Sequence, residues 1–159
     1  MTGCDIVMAT PVGRLGVRLQ GGRVAALEFI DARVRLKPAA TPFAHQVESA
    51  ISRWLRDAGS QLALPLTPPG SDFQSRVRAA LLAIPPGEVR SYGELARQLG
   101  SSARAVGGAC RRNPVPILVP CHRVVGAAGP GGYSGHTGGA ALRRKLWLLR
   151  HEGELADGA

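Results

Sequence analysis

Cys121, His122 and Arg123 are consecutive, and they are the side chains in this sequence best suited to nucleophilic chemistry. A cysteine attacks only as its thiolate, and a free thiol has a pKa of about 8.5. An imidazole and a guanidinium beside it favour the thiolate if their heads lie close. Neighbours on a regular element point apart, so the sequence predicts a water between Cys121 and His122 rather than a direct bond. Glu152 closes the last helix. An acid there opposes the helix dipole by roughly 0.3–1 kcal/mol, which makes sense if the carboxylate is held in place to orient and charge-stabilise a histidine. The alternative is a frayed, solvated helix end, and buried inert cysteines are common.

The three cysteines, Cys4, Cys110 and Cys121, are odd in number and scattered, which excludes a disulfide framework and a four-cysteine zinc site. The 159 residues are 45% apolar, enough for one domain or two small ones. No apolar run reaches the ~18 residues of a membrane span. The N-terminus lacks a signal pattern, so a cytoplasmic protein without membrane contact is expected. The net charge is +9, and the segment from Arg90 to Arg150 carries all of it, with ten basic residues against Glu94. A polyanion, nucleic acid first, is the natural partner. A solvated surface is the alternative, and 18 of the 20 cations being arginine could reflect base composition alone.

Residues 1–66 read as a small α/β unit. Ile6 to Met8, Leu15 to Leu19 and Val24 to Phe29 are strand candidates, with Gly21-Gly22 a hairpin turn. Val47, Ile51, Trp54 and Leu55 share one helix face. Leu62, Leu64 and Leu66 alternate as a last short strand, with Pro65 marking an edge. His45 reads as surface and Trp54 as core. Residues 67–70, Thr-Pro-Pro-Gly, form a linker.

Residues 71–159 begin with a helix striped by Phe73, Val77, Ala80, Leu81 and Ile84 and stopped at Pro85-Pro86-Gly87. Ser91-x-x-Glu94 is a capping box, and Gly100 can close the helix it opens. Ser101-Ser102 caps a second helix to about Arg112, so the pair suggests a helix-turn-helix. Gly107 and Gly108 each cost that second helix roughly 0.5–1 kcal/mol relative to alanine. Arg104, Gly108 and Arg111 share a face, which suits either tight helix packing or a helix pressed into a nucleic-acid groove. Ser91 at a helix start also suits a phosphate. An extended, proline-rich segment from Asn113 leads to Cys121. A glycine-rich loop then leads to a last helix with Leu142, Leu146 and Leu149 inward and Gly153 as its C-cap.

The segment Pro120-Cys121-His122-Arg123-Val124 resembles the active-site signature of the O6-alkylguanine-DNA alkyltransferases. Further matching motifs follow in order. They are Phe73-Gln74, Ile84-Pro85 with Gly87, Ser91-Tyr92 with Leu95-Ala96, Arg104 to Gly107, Asn113-Pro114, Pro116-Ile117, Gly132 to Gly135, and His151-Glu152-Gly153. The resemblance covers about half the chain. It implies a ribonuclease-H-like α/β N-terminal domain and a mainly α, winged-helix or helix-turn-helix-like C-terminal domain for DNA binding and alkyl transfer.

The resemblance also implies roles. Cys121 would take the alkyl group of O6-alkylguanine, with O4-alkylthymine as a second substrate, in one irreversible turnover. His122 would receive the thiol proton through a water, Glu152 would orient His122, and Asn113 would brace the turn between recognition helix and nucleophile. Tyr92 would donate to N3 of the base and the Ser134 amide to O6. The carbonyls of Cys121 and Val124 would read the exocyclic amine, with Tyr133 and Gly135 completing the pocket. The base must be flipped out of the duplex. Arg104 would fill the gap, with Ala105, Gly108, Arg111, Arg123 and Ser91 at the DNA. The implied partner is double-stranded DNA carrying the lesion, bound by a monomer that could assemble cooperatively. No metal or other cofactor is expected.

Two positions depart from the pattern. Arg78 stands where the family has Trp, and His136 follows Gly135 where the family has Gly. The second puts the fit of large alkyl groups in question. Two other classes remain. A non-catalytic alkyltransferase-like protein that only binds lesions would lack Cys121, and a cysteine hydrolase would have no use for a basic helix-turn-helix.

Overall fold

The computed structural model describes residues 3–126, 129, 131 and 139–153. The chain divides into two compact units, residues 1–67 and 68–159.

In the first unit, β1 (Ile6–Thr10), β2 (Gly13–Gln20) and β3 (Arg23–Ile30) form an antiparallel sheet in the order β1-β2-β3. Gly21 and Gly22 have φ of +57° and +74°. That left-handed pair is what a two-residue hairpin demands, because its twist matches the strands it joins. Helix α1 (Pro42–Arg56) starts at Thr41, whose side chain accepts from the Ala44 amide. It buries Val47, Ile51 and Trp54, while Ile6, Leu15, Val17 and Val24 of the sheet are fully buried. His45 is exposed. The alternating leucines do not make a strand. Only Leu66 pairs, in a single bridge to Val24, which exchanges backbone bonds with Pro65 and Thr67. Proline has no amide to extend a ladder.

In the second unit, α2 (Asp72–Leu82), α3 (Tyr92–Leu99) and α4 (Ala103–Arg111) pack on one another. Each starts on a serine. Ser71, Ser91 and Ser102 accept from the amides of Gln74, Glu94 and Ala105. The Ser91–Glu94 box is reciprocal, and Gly100 ends α3 with φ +64°. A two-residue strand, β4 (Arg90–Ser91), pairs in parallel with β5 (Val124–Val125). That pairing ties the start of α3 to the chain just after Cys121.

Helix α5 (Gly139–His151) corrects the sequence reading. Its buried residues are Ala141, Lys145, Leu148 and Leu149, and Leu142 and Leu146 are only half-buried. The inner face is thus turned so that a lysine lies on it. Leucine periodicity alone cannot show this, because a lysine on that face counts as polar and shifts the inferred stripe. Among the described residues, no helix is long and apolar enough to cross a membrane.

Candidate active site

The candidate nucleophile, Cys121, lies in a 3₁₀ turn, Cys121–Arg123, rather than on a strand. Asn113 builds the approach to it. Its side-chain Nδ2 donates to Val119 O at 2.9 Å and its Oδ1 accepts from the Val115 amide at 3.1 Å. The Cys121 amide shares the Val119 carbonyl at 2.8 Å. Between these anchors Ile117 has φ +75°. That conformation is an outlier for a β-branched residue and persists only where its surroundings enforce it. Here the Val119 amide closes a turn on Val115 O at 2.9 Å, and Ile117 is buried.

The tight turn sends consecutive side chains in different directions. His122 is fully buried, and its Nε2 lies 2.7 Å from Glu152 Oε1. Arg123 Nε donates to the same oxygen at 3.0 Å, Nη2 donates to Oε2, and Nη1 donates to Ile84 O at 2.6 Å. Glu152 is therefore not a solvated helix end, since its side chain has no exposed surface. Arg123 is correspondingly not free to meet DNA. It is buried and its guanidinium is committed to Glu152 and Ile84, which corrects the reading of Arg123 as a DNA contact. The turn at Ile84 to Gly87 backs this cluster. Gly87 has φ +85°, and a Cβ there would stand 3.0 Å from Glu152 O.

Electrostatics assign the protonation states. Burial would raise the Glu152 carboxyl, but bonds from His122 and Arg123 hold its pKa at about 2. A carboxylate this firmly ionised requires Nε2 of His122 to carry the proton. Nδ1 is then the lone-pair nitrogen, and it is buried without a hydrogen-bond partner among the described residues. Burial lowers the His122 pKa, with Glu152 pulling the other way, so the ring is neutral at pH 7. Burial raises the Cys121 thiol despite the Asn113 side chain and Lys145. The resting pair is thiol and imidazole, not the thiolate that the sequence suggested.

Both His122 and Glu152 have depressed folded pKa values. Each group's stabilising contribution is complete above its unfolded value, 6.5 and 4.5 respectively, and is lost as pH falls toward the folded value. Urea midpoints measured on the way down in pH are expected to fall in two stages. The first starts near 6.5, and the second runs from 4.5 to about 2. Midpoints that stay flat over that range would contradict the buried cluster.

Lys145 is the residue the sequence reading missed. It is fully buried, donates from Nζ to Val124 O at 2.6 Å, and stands 5.8 Å from the centre of the Tyr92 ring. Burial lowers its pKa to about 8, against the pull of Cys121 and Cys110. A signal was present in the sequence. Lys145 is the one lysine in the arginine-rich segment, and it is spaced i−4, i+3 and i+4 from Ala141, Leu148 and Leu149. Tyr92 is half-buried, and burial, then Cys110 and Cys121, raise its pKa to about 12, so it stays a proton donor. Gly131, φ +75°, lies against its ring, where a Cβ would come within 3.0 Å of Cε2.

On α4, Arg104 and Arg111 are exposed and Ala105 is half-buried. The two glycines differ. A Cβ at Gly107 would meet nothing within 4 Å, whereas Gly108 is buried beneath the Arg112 guanidinium at 3.5 Å. The smooth patch on α4 is thus at Gly107 rather than Gly108. The Ser91 hydroxyl oxygen accepts from the Glu94 amide at 3.0 Å as the helix cap. Arg78 lines a small pocket with Ala109, Asn113 and Val119. Tyr133, Ser134, Gly135 and His136 lie outside the described residues. Among the described residues no three His, Cys, Asp or Glu side chains group as a metal site.

Fold and site together define a class of protein, one in which a buried free cysteine adjoins a hydrogen-bonded histidine–glutamate pair in a unit with a pair of short helices. Known proteins are similar to this chain. Residues 72–154 match the family model described as 6-O-methylguanine DNA methyltransferase, DNA binding domain. The methylated-DNA–protein-cysteine methyltransferase of Mycobacterium leprae is 43% identical over 152 residues, 91% of this chain and 89% of that one. The crystal structure of Mycobacterium tuberculosis O6-methylguanine methyltransferase matches with a TM-score of 0.75 at 35% identity, covering 96% of this chain and 94% of that one. The Mycobacterium tuberculosis protein OGT in complex with DNA matches with a TM-score of 0.74 at 38% identity over the same shares. The chain belongs to the 6-O-methylguanine DNA methyltransferase family.

Proposed function

We propose that this protein repairs DNA by direct reversal, taking the alkyl group of O6-alkylguanine onto Cys121 in a single turnover. The observation that carries the mechanism is Nδ1 of His122, which has no hydrogen-bond partner among the described residues and is buried opposite the Nε2 that Glu152 holds. It is a base with its proton acceptor free and its orienter in place. A water relays the thiol proton to Nδ1. The sulfur attacks the alkyl carbon, the S–C bond forms as the C–O6 bond breaks, and electrons pass into the guanine ring. Tyr92 passes its proton to N3 and so relieves the leaving group's charge, and the imidazolium proton returns through solvent to the Tyr92 phenolate. Lys145 faces the sulfur as charge develops. It also engages one lone pair of Val124 O, leaving the other to read the exocyclic amine.

The family resemblance and the DNA complex of the M. tuberculosis relative support DNA as the partner, double-stranded DNA in this reading. Exposed Arg104, at the second position of α4, has the reach to replace a flipped base, and the open surface at Gly107 suits a groove only about 6 Å wide. Within this reading residues 71–159 form the winged-helix or helix-turn-helix-like transfer domain and residues 1–66 a ribonuclease-H-like domain, joined at 67–70. The protein acts as a monomer, Tyr133, Ser134 and Gly135 line the pocket, and O4-alkylthymine is the second substrate.

Intact-mass measurement after mixing with a duplex containing O6-methylguanine tests the proposal. The protein is expected to gain the mass of one methylene group, to saturate at one equivalent, and to carry the gain on the peptide containing Cys121. Tight binding with the methyl group left on the DNA would support the lesion-binding alternative and overturn transfer.

A further inference from the structure

We propose that Arg123 is a positioning residue that keeps His122 a neutral base, by satisfying the charge of Glu152 before the imidazole can. The kinetic consequence rests on the proposed transfer to Cys121, whereas the state of the imidazole does not.

Glu152 Oε1 accepts from His122 Nε2 at 2.7 Å and from Arg123 Nε at 3.0 Å, and Oε2 accepts from Arg123 Nη2. The carboxylate and imidazole have no exposed surface, and the guanidinium side chain is 10% exposed. The buried cluster thus already holds one cation for one anion. A guanidinium is suited to this because it is always charged and bonds both oxygens at once. It is fixed from behind, since Nη1 donates to Ile84 O at 2.6 Å, in the turn that also packs Gly87 against the Glu152 backbone.

Without the guanidinium, a bare buried carboxylate would face the imidazole. The lowest-cost neutralisation would then be a proton on Nδ1, giving an imidazolium paired with Glu152. An imidazolium cannot accept the thiol proton. The charged and titratable groups facing His122 are Glu152, which favours protonation, and Arg123 and Lys145, which oppose it. Burial is the largest influence holding the ring neutral, and among the charged groups Arg123 is the one that bonds both oxygens of the carboxylate, so it is the charge placed to offset Glu152. Cys121, beside it, rests as a thiol and supplies no counter-charge.

The test compares wild type with Arg123→Gln by two readouts. One is the NMR titration of the His122 ring without DNA, and the other is the single-turnover transfer rate against pH. In Arg123→Gln the ring's midpoint is expected to rise by at least about one pH unit, a tenfold change in the neutral fraction on the acid side. The acid limb of the rate should move with it, and the loss should shrink at high pH. An unchanged ring titration, with the rate lowered by one factor at every pH, would reduce Arg123 to a structural brace and overturn the inference. Should Arg123→Gln fail to fold, Arg123→Lys replaces it. One ammonium cannot reproduce the two-oxygen geometry, so a smaller rise of the same sign is expected and no rise overturns the inference. A wild type that takes up no methyl group while the ring still shifts would sink the transfer reading and leave the role of Arg123 standing.

Discussion

Glu152→Gln is expected to lose on the order of 3–5 kcal/mol of folding stability, the usual cost of stripping one partner from a buried ion pair. Glu152 has no exposed side-chain surface and accepts three hydrogen bonds, one from His122 and two from Arg123. The glutamine amide is nearly isosteric, so the loss measures charge rather than volume. It leaves a guanidinium at 10% exposure without its counter-ion. In the molecules that remain folded, transfer should slow by about 10²-fold or more, within the range a positioned general base contributes. The carboxylate no longer dictates that Nε2 holds the proton, so Nδ1 is no longer reserved as the acceptor. Urea denaturation and single-turnover kinetics read the two effects separately. A loss under about 1 kcal/mol with an unchanged rate would contradict both the burial and the relay.

Lys145→Met separates stability from chemistry. Methionine has similar length and no charge, so it fills the same space without a desolvated ammonium. Its cost is the bond to Val124 O, worth about 1 kcal/mol net, or up to about 3 kcal/mol if the carbonyl stays dry. Against this stands relief from burying a charge whose pKa is already forced down to about 8. The net change in stability is expected within about 1–2 kcal/mol of wild type. The transfer rate should fall by about 10²-fold or more, because a pre-placed cation facing developing charge is worth that much. Reaction of Cys121 with iodoacetamide checks the cause without DNA. Its pH midpoint should move further up in Lys145→Met, since the cation that favours the thiolate has gone. A normal transfer rate in a folded variant would remove Lys145 from the chemistry.

The order of elements was legible because local rules set it. Glycines at 21 and 22 demand a hairpin, serines at 71, 91 and 102 start helices by capping them, and Gly100 ends one. Each depends on a few consecutive residues, so a sequence scan finds it. The Leu62, Leu64 and Leu66 alternation misled, because a strand needs a partner along its whole length and only Leu66 has one. The inner face of α5 misled for a related reason. A lysine counts as polar, and its burial depends on the carbonyl of Val124, 21 positions away, which accepts its hydrogen bond.

The same division runs through the site. Residue types and motif spacing alone determined the family and singled out Cys121, His122 and Glu152 as the proposed nucleophile, base and carboxylate partner. Those are matters of which chemical groups the chain owns, and the order of motifs carries them. Whether Arg123 faces DNA or Glu152 and whether Cys121 rests as thiol or thiolate were decided by tertiary structure. Each answer depends on what solvent is excluded and which charge is brought close by distant segments. Desolvation and ion pairing exist only once Ile84, Cys121–Arg123, Lys145 and Glu152 are folded into one place.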